Sequence, residues 1–462
     1  MTELTDSQIE EYRADFKADP KNLLAQNVAV KFDPLEVSLN RDVVNSSHHC
    51  FQHKVAEVKP VTNQRSSGRC WIFACLNVMR LPFMKEMNID DFEFSQSYIF
   101  FWDKIERTNY FLQSFVDVFK KGLPVEGRLV SYLLSNPVND GGQWDMLVNL
   151  IEKYGVMPKK CFPESHSSNA SRRLNSLLNT KIREYSHILY EMVNRQATDE
   201  EIQGEIKRMV GEAFRVCSIL LGSPPTEFTW EYYDKTRNFK SVGPITPQEF
   251  YTLHVKPYFN MKDKICLVND PRPSNPFGKG YTVEYLGNVI GGQRTFYNNQ
   301  SIDILKAAAA ATLIDGEPVW FGCDVGKHYS GKTGILDLTV RNYELLFGLS
   351  TINIDKAKRL IFGESLMTHA MVFTGVSLEN KDGETQNGNR TIKWRVENSW
   401  GEESGDKGYL IMSDDWFSEF VYEVVVDKKY LSQEVLEVQN QEPVVLPAWD
   451  PMGALANLSA KL

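Results

Sequence analysis

Cysteine acyl-transfer chemistry needs four residue types, and this chain carries all of them in suggestive local contexts. Gln64 and Cys70 stand in Gln64-Arg65-Ser66-Ser67-Gly68-Arg69-Cys70-Trp71, His369 precedes an apolar run, and Asn398 opens Asn398-Ser399-Trp400-Gly401. A thiol attacks a carbonyl as the thiolate, and it requires a base, a group that orients the base, and a donor for the developing oxyanion. Cys70, His369, Asn398 and Gln64 suit those roles in that order. Gly68 permits a tight approach of the backbone, and Ile72, Phe73, Leu76 and Met79 recur at helical spacing behind Cys70. The sulfur is therefore expected at a helix N-terminus. There the unpaired N–H groups and the dipole favour an anion, and a nearby imidazolium would lower the thiol pKa further. The Gln64 amide is expected to meet the same carbonyl oxygen as the Cys70 backbone N–H, forming an oxyanion hole.

The elements around these residues read as strands. Ala370-Met371-Val372-Phe373-Thr374-Gly375 is expected to be a buried strand ending at the glycine. Upstream of Asn398, the apolar Ile392, Trp394 and Val396 alternate with Lys393, Arg395 and Glu397, which predicts a strand with one apolar and one charged face. An Asn oxygen that accepts from the imidazole N–H fixes ring orientation and tautomer without adding a second negative charge. Trp400, two residues on, is placed to shield that hydrogen bond from water. The remaining histidines, His48, His49, His53, His166, His187, His254 and His328, are read as ordinary surface or core residues, and Phe92 to Trp102 as packing.

Gly326-Lys327-His328-Tyr329-Ser330-Gly331-Lys332-Thr333 satisfies the phosphate-loop pattern, which belongs to a different function class, a nucleotide-binding protein. A phosphate loop must open a helix, whereas Ile335-Leu336-Asp337-Leu338-Thr339-Val340 alternates in the manner of a strand, so a surface hairpin loop is expected instead.

With 462 residues the chain exceeds a single hydrophobic core. The 51 basic and 60 acidic residues leave a net charge of −9, which provides no global attraction to nucleic acid or to an anionic membrane. No apolar run approaches a membrane span, and the N-terminus does not read as a signal peptide. Seven cysteines at irregular spacing, with no paired CxxC, read as one reactive and six buried thiols in a reducing compartment. The chemistry needs no metal and no organic cofactor. The long separation of Cys70 from His369 implies an insertion. From about Ala170 to Leu221 apolar residues recur at helical spacing, followed by the turn Gly222-Ser223-Pro224-Pro225, and mixed strand and loop text follows to about Gln300. The tail from Pro443 reads as an extended arm. The expected division is an N-terminal arm over 1–55, a helical lobe with Cys70 over 56–168, an inserted helical and mixed region over 169–305, a sheet lobe with His369 and Asn398 over 306–435, and a C-terminal arm over 436–462.

Pro60-Val61-Thr62-Asn63-Gln64, Cys70-Trp71-Ile72-Phe73-Ala74, His369-Ala370, Asn398-Ser399-Trp400-Gly401 and Gly408-Tyr409-Leu410 together resemble the papain superfamily in motif order and local spacing. Longer stretches, among them Asn63 to Pro82, Asn139 to Ser165, Phe362 to Ala370 and Trp449 to Ala456, resemble the bleomycin hydrolases, a branch of that superfamily. The resemblance implies an α+β papain-like fold with two lobes, a cytoplasmic homohexamer, and aminopeptidase action on peptides and on the amide of bleomycin-like compounds. It also implies that Gly141, Gly142 and Trp400 line the substrate site, and that an arm ending near Ala456 blocks one side of the cleft and meets the substrate's α-ammonium. Asn457 to Leu462 run past that point and are expected to be trimmed, folded away or foreign to the protein. Trimming by Cys70 itself is the favoured expectation, because a tail held in the cleft has a high effective concentration at the thiolate. Ser67 stands where secreted papain-like enzymes carry a disulfide cysteine, in keeping with a reducing compartment. A papain-like scaffold without catalysis is the other alternative, and the intact Gln64, Cys70, His369 and Asn398 set argues against it.

Overall fold

The computed structural model describes residues 1–379 and 390–455. Helices and a mixed sheet meet face to face, with the candidate site between them. Among the described residues the main sheet has twelve strands. From one edge the order is Val444–Leu446, Lys279–Val283, Tyr297–Asn299, Lys264–Val268, Val421–Asp427, Val319–Cys323, His369–Leu378, Thr391–Glu397, Tyr409–Ser413, Ile335–Leu336 and Tyr329–Ser330, with His53–Lys54 pairing beside the His369 strand. The three strands between Lys264 and Asn299 fall in the 169–305 region of the sequence, yet they hydrogen-bond into this sheet through Val421–Asp427. The arm enters the same sheet at its edge, because Val444–Leu446 runs parallel to Lys279–Val283.

Both faces of the sheet are covered, which gives two cores. On one face Trp320, Ala370, Val372 and Val425 pack against the helices Cys70–Glu86, Gln96–Lys120 and Trp144–Tyr154. On the other, Phe321, Met371, Phe373, Trp394 and Val424 pack against the helices Ile302–Ile314 and Asp414–Phe420. The helical text after Ala170 forms Arg172–Asn194 and Asp199–Leu221. The second of these starts with a reciprocal Thr198–Glu201 capping box, which satisfies orphan N–H groups at the first turn, and stops at Gly222 with φ 90°. No helix of the described residues is long and apolar enough to cross a membrane.

Three expectations change. The strand that begins at His369 does not end at Gly375 but continues to Leu378 after a register shift. Gly375 is needed there because a Cβ would lie 2.9 Å from the carbonyl oxygen of His53, whose strand crosses at that point. The charged face of Thr391–Glu397 is interior: Arg395 and Glu397 are buried and Ile392 is exposed, because helix Cys70–Glu86 covers the side that bears Glu397. Glu397 is satisfied there by Arg80 and Asn77. Of the six cysteines expected to be buried, Cys75, Cys217, Cys266 and Cys323 are, whereas Cys50 is exposed and Cys161 partly so, and all seven are free thiols.

Candidate active site

Cys70 is the first residue of its helix and is buried. The loop that delivers it is braced by ionic contacts. Asp140, buried, accepts from the Gly68 N–H at 3.0 Å, from Lys104 Nζ at 2.8 Å and from Asn175 Nδ2 at 2.7 Å. Burial alone would raise the Asp140 pKa, but the Lys104 ammonium and these donors outweigh it and hold the carboxyl well below its usual range. Arg69 has no exposed surface, donates to both carboxylate oxygens of Glu164 at 3.1 and 2.9 Å, and reaches Ser67 Oγ at 2.9 Å. In this chain Ser67 therefore braces the loop by hydrogen bonding, donating in turn to the Gln64 carbonyl.

His369 begins its strand and Asn398 follows the end of the neighbouring one, so the sheet register brings them together. His369 Nε2 lies 3.0 Å from Asn398 Oδ1. The same Oδ1 accepts from the Ser399 N–H at 2.8 Å, which identifies it as the oxygen. A carbonyl oxygen can only accept, so Nε2 carries the proton and Nδ1 is left as the basic nitrogen. The Trp400 ring sits 4.8 Å from the imidazole, tilted by 36°, and helps to exclude water from that hydrogen bond.

The environment of the thiol departs from expectation. Burial pushes Cys70 up to about 12, while the backbone amides of Ala370, Trp71 and Cys70 pull the other way and the Asp140 charge adds to the rise. Desolvation thus outweighs the helix N-terminus, and those amides alone do not ionise the thiol. Gln64 is buried and tied across the two lobes. Its Oε1 accepts from Ser399 Oγ at 2.7 Å, and its Nε2 donates to the Ser67 carbonyl at 2.6 Å. An amide nitrogen carries two hydrogens, so one remains for an incoming oxyanion.

Gly141 and Gly142 lie against the residue after the nucleophile. A Cβ on Gly142 would come within 2.6 Å of the Trp71 indole, the Trp71 Nε1–H donates to the Asp140 carbonyl at 2.6 Å, and Arg107 donates to the Gly141 carbonyl at 2.8 Å. The next residue, Gln143, donates from Nε2 to the Ala454 carbonyl at 2.9 Å, which brings the arm to the glycine segment. Ala456 and the extension 457–462 lie outside the described residues. Gly326 to Thr333 forms turns around the short strand Tyr329–Ser330, which pairs with Ile335–Leu336, and no helix follows. That is the geometry of a hairpin and not of a phosphate cradle.

Sequence reading missed several supports of the site: Arg107, Gln143, the Arg80–Glu397 pair, and the Trp320 Nε1–H that donates to the Trp71 carbonyl at 3.2 Å across the lobes. Only Asp103 and Arg107, four apart in an apolar helix, carried a local signal of their ion pair.

The comparisons agree with this geometry. The model of the peptidase C1-like family matches residues 3–453. The chain is similar to the bleomycin hydrolase of Gallus gallus, with 62% identity over 95% of this chain and 96% of that protein, and to that of Homo sapiens, with 60% identity over the same shares. Aminopeptidase C of Listeria monocytogenes is 42% identical over 99% of this chain and 100% of its own length. The crystal structure of PepW from Lactobacillus rhamnosis superposes with a TM-score of 0.93 at 42% identity, covering 98% of this chain and 100% of that one. This papain-like chain belongs to the peptidase C1-like family.

Proposed function

We propose that the chain is a cysteine aminopeptidase of the bleomycin hydrolase type, which removes N-terminal residues from peptides and hydrolyses the amide of bleomycin-like compounds. The observation that carries this reading is the hydrogen bond from Gln143 Nε2 to the Ala454 carbonyl at 2.9 Å, next to the glycine segment that packs on Trp71. An arm seated there leaves room for a substrate that begins close to Cys70, and little for one that continues past it.

Cys70 acts as nucleophile and His369 as base through Nδ1. A thiol that burial holds near 12 ionises by passing its proton directly to His369, since the resulting thiolate and imidazolium bring no net charge into the site. The thiolate attacks the carbonyl carbon, and the free Gln64 N–H with the Cys70 backbone N–H meets the oxyanion. His369 returns the proton to the leaving amine, water attacks the acyl-enzyme after activation by the same nitrogen, and the thiol is restored. Asn398 holds the ring throughout. Gly141 and Gly142 offer backbone to an extended substrate, and Trp400 walls the leaving side.

The 1–55 arm, the lobes and the 169–305 insertion are proposed as the organisation stated above, and the protein as a cytoplasmic homohexamer. Exposed apolar side chains on the N-terminal arm, Leu24, Val30 and Phe32, and on the segment bearing Leu345 and Phe362, support burial against further copies. The test of the main reading is hydrolysis of matched peptides with free and acetylated N-termini. Preferential release of the first residue from the free form is expected, and equal internal cleavage of both would overturn it.

A further inference from the structure

The arm is held along its length, and one contact differs in kind from the rest. Tyr297 Oη donates to the Met452 carbonyl at 3.0 Å, the Arg128 guanidinium lies 4.2 Å from the centre of the Trp449 ring, and Gln143 reaches Ala454. Two of these go to backbone carbonyls, which any arm sequence would offer, and the third is a stacking contact that tolerates sliding. Arg272 instead bridges two carboxylates. It donates to Asp270 from Nε at 2.9 and 3.2 Å and from Nη2 at 2.7 Å, and to Asp450 from Nη1 at 3.0 Å and Nη2 at 2.7 Å. All three side chains are about nine-tenths buried or more. Asp270 is fixed from behind by Asn275 Nδ2 at 2.6 Å, and Asp450 Oδ1 also caps the turn at Met452 N–H.

Fork-on-fork contact between a guanidinium and a carboxylate has one favourable register, so it fixes the position of the arm residue along its own axis. Between Asp450 and Ala454 the chain makes a single 3-10 turn, Pro451–Gly453, which leaves little slack. We propose that Arg272, clamped between Asp270 and Asp450, is the specificity-determining residue that sets how deep the arm sits in the cleft and so how many substrate residues fit between the block and Cys70. This rests on the aminopeptidase reading above and goes beyond it, because it assigns the cut position to a side chain of the sheet region and not to the arm alone.

Loss of the clamp frees the arm to slide or lift, and the remaining carbonyl contacts re-form one or more residues out of place. The experiment compares the full-length protein with Arg272→Met, Asp450→Asn and a form lacking residues 449–462, on one peptide series with free or acetylated N-termini, scoring each product by mass. Arg272→Met is expected to raise the kcat/KM ratio of acetylated to free substrate about tenfold or more towards that of the truncated form, and to release dipeptides alongside single residues. Asp450→Asn keeps the cap and the volume, so it reports on the clamp even if Arg272→Met folds poorly, and a similar shift is expected. Arg272→Lys, which cannot bridge two carboxylates with a fork, should fall between wild type and Arg272→Met. If truncation admits acetylated substrates while Arg272→Met and Asp450→Asn keep the wild-type ratio and release only single residues, the clamp is not the determinant. If truncation itself changes nothing, the arm reading falls and this inference with it.

Discussion

Nη2 of Arg80, on the helix that Cys70 opens, donates at 2.9 Å to Oε1 of Glu397, the residue before Asn398. Both side chains are buried, and Asn77 of the same helix donates to the same oxygen at 3.0 Å. The helix that carries the nucleophile and the strand that delivers the partner of His369 are thus joined by one ion pair. Breaking a buried pair by removing one partner costs about 3–5 kcal/mol, because the other charge stays buried. Glu397→Ala should therefore lower unfolding stability in urea by about that amount. It should also reduce turnover, since Asn398 loses its anchor. A variant as stable and active as wild type would show the pair to be dispensable.

Cys70→Ala should abolish hydrolysis while leaving the fold and assembly intact, since it removes the covalent route and little volume. Asn398→Ala should be milder, because Nδ1 of His369 can still act with poorer orientation. Turnover rates and size-exclusion profiles check both, and retained hydrolysis in Cys70→Ala would remove the assignment.

His369→Ala tests how the thiolate is made. If burial holds the thiol near 12 without its partner, labelling of Cys70 by iodoacetamide at neutral pH should slow on the order of 100-fold in that variant. Exposed Cys50 serves as the internal reference, read by peptide mass. Undiminished labelling would mean that the helix N-terminus suffices after all.

Stability should fall with rising pH because of Glu423. Burial, with the Asp145 charge adding to it, raises its carboxyl from 4.5 to about 8, against the lowering effect of its Cys266 hydrogen bond. The folded state then binds a proton that the unfolded state has lost. Its stabilising effect is complete below about pH 4.5 and is lost as pH rises through 8, on the order of a few kcal/mol. Glu423→Gln should flatten the urea midpoint across that window. An unchanged slope would place the proton elsewhere.

Two glycines should respond in opposite directions to alanine. At Gly142 the new methyl meets the Trp71 indole at 2.6 Å, so overpacking of about 1–3 kcal/mol and a loss of activity are expected. Gly204 lies on an exposed face inside the Asp199–Leu221 helix with nothing within 4 Å, so Gly204→Ala should stabilise by about 0.5–1 kcal/mol with activity unchanged. Thermal melts and peptide hydrolysis check both.

Local pattern was enough to place Cys70 at the start of a helix, His369 at the head of a strand, Asn398 at the end of another and the Thr198–Glu201 cap, because each depends on neighbours within a turn or a strand. Alternation along Thr391–Glu397 correctly predicted a strand, yet it could not tell that the charged side would be interior. Periodicity reports which residues share a face and is silent on what covers it. The same gap hid the partners of Glu397, the entry of Lys264–Val268 and its neighbours into the main sheet, and the reach of Gln143 to Ala454, all contacts between residues remote in sequence. The state of the Cys70 thiol belongs here as well. A helix dipole is a local property that the sequence announces, whereas desolvation sums over every group packed around the sulfur, and only the folded arrangement determines that the second exceeds the first.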